Sequence, residues 1–445
     1  MKKIFVVGAV ACFMFASVGS ASAQKKQFDE YRRSSVNFVL LDVSEGDAEV
    51  AELVKKSFVE MEIPVKYNNH NVSDDVRVFN LSSIEVTEED HNAYNEFIGK
   101  KSSGGGKALG ALAGSLMGGG SSAPMKEFSP AKKNSPVAAW KYLNQTKMAN
   151  LLLQKWFINP EKPTELSIDL LRERANFNAT ETEKLAAATS SRGAFDQIAD
   201  DAGYELLNNT FTAVTRLRYM NADDMYAEII ENAEVVAQYL PAQAQGPAME
   251  AATAAATAAK LAIGDGYVIY STTYLYQLVW NDEVQNSVET NWMDAEKFKS
   301  HDGYTLRFVG QENAYANILG KKFPREQAIQ LAVKRTMEKV LAKLERKYEV
   351  FRTKSPLVSV EPLLADIGTK ECVEKGDKYE VLEKSIDPKT EKPVYKRKAL
   401  LVVETVGNNI DDGSEEVDAS MPKQTTLKGK AKGLYPGMLI RQTSK

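Results

Sequence analysis

The chain has 445 residues, enough for two or three domains and a sizeable core. Its formal charge is −4, a mild acidity that argues against general nucleic-acid binding. Of its two cysteines, Cys12 lies in an N-terminal apolar stretch, so Cys372 has no partner in the remainder and the fold must rest on packing.

At the N-terminus, Lys2 and Lys3 precede an apolar run over 4–18 and the small-residue site Ala21-Ser22-Ala23. This is the pattern of a secretory signal peptide over 1–23, with an apolar core too short for a membrane anchor. Cys12 has Phe13, Met14 and Phe15 still to come in that core, so cleavage after Ala23 is expected rather than lipidation. The expected location is the periplasm, free or in association with the outer membrane.

Residues 24–100 read as a small α/β unit. A strand over 36–43 leads into a helix with the stripe Val50, Leu53, Val54, Phe58 and Met61, stopped by Pro64. A second strand is expected over 76–84. Thr87-Glu88-Glu89-Asp90 then resembles a capping box opening a helix that ends near Gly99.

Residues 101–136 form a Gly/Ser/Pro-rich linker or insertion. Gly104-Gly105-Gly106-Lys107 is not a phosphate loop, because Lys101 stands where a Gly is required and Ala108 where Ser or Thr would meet magnesium. Gly110, Gly114 and Gly118 recur every fourth residue in an apolar setting. On a helix they would share one face and allow close backbone approach, a candidate self-association or membrane contact, although 108–117 is too short to span a bilayer. The plainer reading is a linker with some apolar content.

Residues 137–355 read as a central α+β domain. Helix is expected over 137–157, then a capping box at Thr180-Glu181-Thr182-Glu183, a strand over 210–219 and a helix over 222–240. The Ala-rich insert 242–263 favours helix but offers little to bury, so a marginal helix or loop is expected. The longest strand signal follows at 267–280, without charge, Gly or Pro. With period two, Val268, Tyr270, Thr272, Tyr274 and Tyr276 share one face, and Ile269, Ser271, Thr273, Leu275 and Gln277 the other. It is expected as the central strand of a mixed, mostly antiparallel sheet, with Tyr and Trp in its core face. A strand over 304–309 follows. Pro324 opens the clearest helix, with a stripe at Ile329, Val333, Met337, Val340 and Leu344 that should lie across the sheet. Its polar side carries Lys334, Arg335, Lys339, Lys343, Arg346 and Lys347, a candidate contact for an acidic partner or membrane surface; a solvated outer face is the plainer reading.

Residues 356–445 read as a small β domain of barrel type, with strands over 378–383 and 394–406, a turn at Asp387-Pro388 and a closing segment over 435–440. Chemistry is hard to find. His70, His91 and His301 stand far apart in polar surroundings and read as solvated residues rather than metal ligands. Glu371 and Glu374 beside Cys372 disfavour a thiolate. The acidic loop 411–416 lacks the spacing of a calcium loop. No catalytic, cofactor or metal site is expected.

The run from Asn144-Gln145-Thr146 through Leu170-Leu171-Arg172-Glu173-Arg174 to Thr210-Phe211-Thr212-Ala213-Val214 is similar to the curli-secretion-channel superfamily and its periplasmic relatives. Lys375-Gly376-Asp377-Lys378-Tyr379-Glu380-Val381, with Tyr435-Pro436-Gly437, resembles the small β-barrel domain of some envelope assembly proteins. The resemblance covers under half of the chain beyond 23 and implies an envelope assembly or scaffold role, with no site residues carried over. The expected function is thus that of an exported, non-catalytic protein that binds or assembles with other envelope proteins, homo-oligomers included. Two alternatives stand: a membrane-inserting or pore-forming oligomer using 108–117, and a hydrolase-type enzyme with a carboxylate site no local motif reveals.

Overall fold

The computed structural model describes residues 34–42, 48–64, 67–99, 130–157, 162, 167, 170–171, 205–238, 240–264, 267–291, 295–318, 323–371, 373–386, 393–409, 422–430 and 432–443. The expected signal peptide, the glycines at 110, 114 and 118, the capping box at 180–183, Cys372 and the acidic loop 411–416 lie outside these residues.

The fold is α+β: a mixed sheet flanked by helices, followed by a closed barrel. The sheet contains β1 (Ser34–Asp42), β2 (Tyr67–Asn69), β3 (Val78–Asn80), β4 (Thr210–Met220), β5 (Tyr267–Leu278) and β6 (Leu306–Ile318). Its order is β2-β1-β4-β5-β6, with β3 also on β1. β1 runs parallel to β2, β3 and β4, while the long β4–β5 and β5–β6 ladders are antiparallel. The expected N-terminal unit is therefore not a sheet of its own: β1 pairs β4 from Ser35↔Thr210 to Leu41↔Arg216. The strand expected over 76–84 shrinks to three residues because side chains take over its pairing. The Phe38 amide donates to Asn71 Oδ1 (2.8 Å) and Arg77 Nε donates to the Phe38 carbonyl (3.4 Å), between the stretches of β1 held by β2 and β3.

β5 has two unlike sides. One presents Ile269, Ser271, Thr273 and Leu275, small enough for α9 (Arg325–Lys347) to lie close over the sheet. Beneath the helix, Thr336 Oγ1 donates to the Ile269 carbonyl (3.2 Å), and the Thr215 and Thr273 hydroxyls bond each other (2.9 Å). Buried Ile329, Val333, Met337, Val340 and Leu344 fill the seam, together with α1 (Ala48–Glu60), and each such side chain contributes about 1.5–3 kcal/mol. The aromatic side faces away. Tyr274 and Tyr276 are buried with Val39, Leu41 and Val214 beneath α3 (Pro130–Gln145) and α4 (Met148–Phe157), and Tyr276 meets Phe308 edge-on.

Several boundaries differ from expectation. α3 begins at Pro130, inside the expected linker, and accommodates Pro136 at the loss of one ladder hydrogen bond. The single helix expected over 137–157 is broken between α3 and α4, where Lys147 takes φ 49°. β6 continues to Ile318, well past 309, because a strand on the sheet edge can carry polar residues such as Gln311 and Asn313. The capping box at Thr87 is present at the start of α2 (Glu88–Phe97): Thr87 Oγ1 accepts from the Asp90 amide and Asp90 from the Thr87 amide.

Between β4 and β5 the chain makes a helical hairpin, α5 (Ala222–Ala237) and α6 (Ala242–Ile263). The Ala-rich insert is thus a full helix. Met249, Ala252, Ala256, Ala259 and Ile263 form its inward stripe against Met225, Ile229 and Ala233, so packing supplies what alanine content alone does not. Two shorter helices, α7 (Asp282–Asn291) and α8 (Ala295–Ser300), occupy the segment between β5 and β6.

The barrel contains β7 (Ser355–Val360), β8 (Leu363–Ala365), β9 (Lys378–Ile386), β10 (Pro393–Thr405), β11 (Thr425–Lys428) and β12 (Leu439–Gln442), closed in the order β10-β11-β8-β7-β12-β9. Ion pairs clasp it to the sheet domain. Arg346 of α9 reaches Asp377 (3.1 Å) and Glu374 (3.3 Å) of the barrel, and Glu205 accepts from the barrel's Tyr395 hydroxyl (3.1 Å) while pairing with Lys354 (2.7 Å) at the junction. Burial works against the Arg346 charge, but Asp377 and Glu374 outweigh it and hold the guanidinium above its ordinary pKa.

Two outcomes are expected. Met337→Ala empties a fully buried site under α9 and should destabilise the fold by about 2–5 kcal/mol in urea unfolding. Asp90 is held down to about 2 by the Lys141 ammonium and the Thr87 cap. Its stabilising contribution is present above the ordinary carboxylate range near pH 3.9 and is lost as pH falls towards 2. Asp90→Asn should therefore flatten the acid limb of the stability curve in that window.

Candidate functional site

The first two parallel strands set the site. From β1 the chain passes through α1 to β2 and β3 on one side; from β4 it passes through α5 and α6 to β5 on the other. Among the described residues, no strand connection covers the gap between the carboxyl ends of β1 and β4. Such a divergence is where open sheets with parallel strands form their ligand crevices. A crevice of about 220 Å³ opens there.

Its floor is apolar, from Leu40 and Leu41 of β1, Val54 of α1 and Leu217 and Met220 of β4, all buried. Its rim is polar: Asp42 ends β1, Lys55 comes from α1, Arg218 and Tyr219 from β4, and Asp224 and Glu228 from the first turns of α5. The alternation of β4 sends Leu217 and Tyr219 towards α1 and α9, and Arg218 and Met220 towards the α5–α6 hairpin, so the crevice straddles the sheet end.

The charges are largely spent on each other. Arg218 grips Glu228 through two parallel hydrogen bonds of 2.8 and 3.1 Å, with both side chains about five-sixths buried (15% and 16% exposed). The guanidinium also lies 5.7 Å from the Tyr270 ring centre, its direct cross-strand neighbour. Burial, then the Glu228 charge, pushes the Tyr270 hydroxyl far above its ordinary pKa. Asp224 closes the N-terminus of α5: its amide donates to Asn221 Oδ1 (2.8 Å) and its carboxylate accepts from the Asn221 amide (3.3 Å). Lys55 has Glu52 at 3.5 Å on its own helix. Asp42, half-buried, makes no salt bridge among the described residues.

The residues singled out in the sequence lie elsewhere. On α9, Lys334 and Arg335 are half-buried and Lys339 is exposed. Lys343 donates to the Asn313 carbonyl (2.9 Å), Lys347 pairs with Glu312 (2.5 Å), and Arg346 joins the barrel clasp. Half of that basic stripe therefore fastens the helix to its own sheet and barrel. The histidines differ from expectation too. His70 is fully buried, 4.8 Å from Trp156 ring centre to ring centre, with Nε2 2.9 Å from the Leu152 carbonyl. His91 meets Asn134 (3.1 Å) and His301 meets Ser287 (2.8 Å). Among the described residues, no group of three or more His, Cys, Asp or Glu side chains could hold a metal ion.

The crevice escaped the sequence because β1 and β4 meet across some 170 positions. The local signal was present: an arginine at a strand end, followed by a helix with Asp223, Asp224 and Glu228 in its first two turns.

No protein-family model matches the chain, and no curated protein matches it. No described helix is long and apolar enough to cross a membrane.

Arg218→Ala would leave Glu228 charged and mostly buried, and should cost about 3 kcal/mol in chemical denaturation. Replacing both, by Arg218→Met with Glu228→Leu, should restore most of that loss; additive losses would show that the pair is not coupled.

Proposed function

We propose that this is an exported, non-catalytic binding protein of the cell envelope with a scaffold or assembly role, and that the crevice between β1 and β4 receives its partner. The observation that carries this reading is the crevice itself: an opening of about 220 Å³ where two parallel strands end, with an apolar floor and a rim whose charges, Asp42 apart, are mostly paired. Glu228 is taken up by a bidentate arginine and Asp224 by a helix cap, so the hydrogen-bonding capacity of both carboxylates goes to the protein itself, which favours recognition over catalysis. Asp42 supplies the available carboxylate, so a cationic group on the partner is the natural match.

The assembly role draws on the second domain. The Arg346–Asp377 ion pair and the Tyr395–Glu205 hydrogen bond join the barrel to the sheet domain, giving one chain two adjoining modules. Export is supported by Lys2, Lys3, the apolar run and Ala21-Ser22-Ala23, and an envelope location would place other envelope proteins within reach.

The test is fractionation followed by affinity purification of the tagged chain from cross-linked envelopes. A mature N-terminus at Gln24, with a partner retained by wild type and by Lys339→Gln but lost with Asp42→Lys, is the expected result. A cytosolic full-length chain, or retention of the partner by Asp42→Lys, would overturn the proposal. So would hydrolytic turnover abolished by one Asp or Glu substitution.

A further inference from the structure

The barrel carries a surface that the crevice does not explain. Although the whole chain is acidic, Lys428, Lys430 and Lys432 follow one another at alternate positions from the end of β11, all exposed. None has an ion pair among the described residues. The backbone fixes where this run lies. A Cβ on Gly429 would sit 2.6 Å from Leu401 Cδ2 and 2.9 Å from the Leu400 carbonyl, so the run passes directly beside β10. Gly433, at its far end, lies against the Lys398 side chain.

Nearby carboxylates are already engaged. Glu383 holds Lys398 (2.5 Å), and Glu380 holds Arg441 (2.7 Å); Glu404, exposed on β10, is the remaining acid of these strands. Near the lysines, in the chain and along β10, two large apolar side chains are exposed. Tyr435 is 58% exposed immediately after buried Leu434, and Leu400 is 42% exposed on the strand the run lies along. Both are among the few large apolar side chains that the described residues leave in solvent.

Cations alone would suit any polyanion. Cations flanking an exposed tyrosine and leucine suit a surface that is anionic outside and apolar beneath, because an amphipathic Tyr ring settles at the headgroup level while lysine stems extend to phosphates. We infer that this face of the barrel docks peripherally on an anionic phospholipid surface, through Lys428, Lys430, Lys432, Leu400 and Tyr435. The inference is independent of the crevice: it concerns the other domain and requires no ligand there.

The test is co-sedimentation of the mature chain with vesicles of phosphatidylcholine alone and of equal parts phosphatidylcholine and phosphatidylglycerol. Binding to the anionic vesicles, reversed by high salt, is expected. Each lysine removed should lower the partition coefficient about five-fold, so K428Q/K430Q/K432Q should lose about 100-fold. Tyr435→Ser should weaken the residual binding that salt leaves behind, and Lys339→Gln on α9 should bind as wild type. Unchanged thermal unfolding of each variant shows that the barrel is intact; a variant that unfolds early is replaced by the single Lys430→Gln, expected to lose about five-fold. Equal binding to neutral vesicles, an unaffected triple variant, or binding confined to heparin or inorganic polyphosphate would each overturn the inference.

Discussion

The parallel pairing of β1 with β4 is the constraint on which the rest of the molecule depends. It places the start of the described chain beside a strand some 170 residues later, and so makes one sheet from two sequence regions separated by a glycine-rich stretch. Closing so large a loop costs little more than closing one half its length, since the entropic cost grows only logarithmically. What must offset it is burial. Val36, Phe38 and Leu40 on one face, and Val39 and Leu41 on the other, all enter cores shared with β4 and β5. The same pairing leaves the two carboxyl ends side by side with their connections diverging, and the crevice is the geometric result.

α9 completes the sheet and guards its edge. β6 is a long outermost strand, and such strands expose backbone groups that invite other chains. Here Tyr348, just beyond α9, accepts from the Gln311 amide and donates to its carbonyl, both at 3.2 Å, while Lys343 donates to the Asn313 carbonyl. Gly310 makes this possible, since a Cβ there would lie 2.1 Å from the Tyr348 ring. A basic stripe that looks from the sequence like a partner surface is in good part the means by which one helix closes a sheet edge and, through Arg346, holds a second domain. The other edge is managed differently: β2 and β3 are three residues each, too short to template a neighbour.

What was legible in the sequence follows from the range of the interactions. The two faces of β5 and the buried stripe of α9 depend on local periodicity and were readable, as was the Thr87 capping box. The barrel character of the C-terminal region was readable from its strand and turn pattern. The depth of α6 was not, because alanine carries no strong moment and declares its buried side only when α5 is in place. His70 looks solvated in the sequence for a related reason: its neighbours Asn69 and Asn71 are polar, yet the chain turns the imidazole inward onto Trp156. The Arg218–Glu228 grip was hidden least by distance, at ten residues, and most by chemistry, since nothing local distinguishes a buried ion pair from a solvated one. Asp42 could be placed only once β1 and β4 were known to lie together.

We assign recognition to the sheet end and, separately, lipid contact to the barrel, with α9 and its ion pairs joining the two. Above all, we propose that the crevice between β1 and β4 is the place of contact with the partner. The most direct measurement is site-specific photo-crosslinking in living cells, with a photoreactive residue at Tyr219 on the crevice rim and, as a control, at Phe97 on α2. One discrete crosslinked species is expected from position 219 and none from 97. Crosslinks from 97 without any from 219 would contradict the proposal.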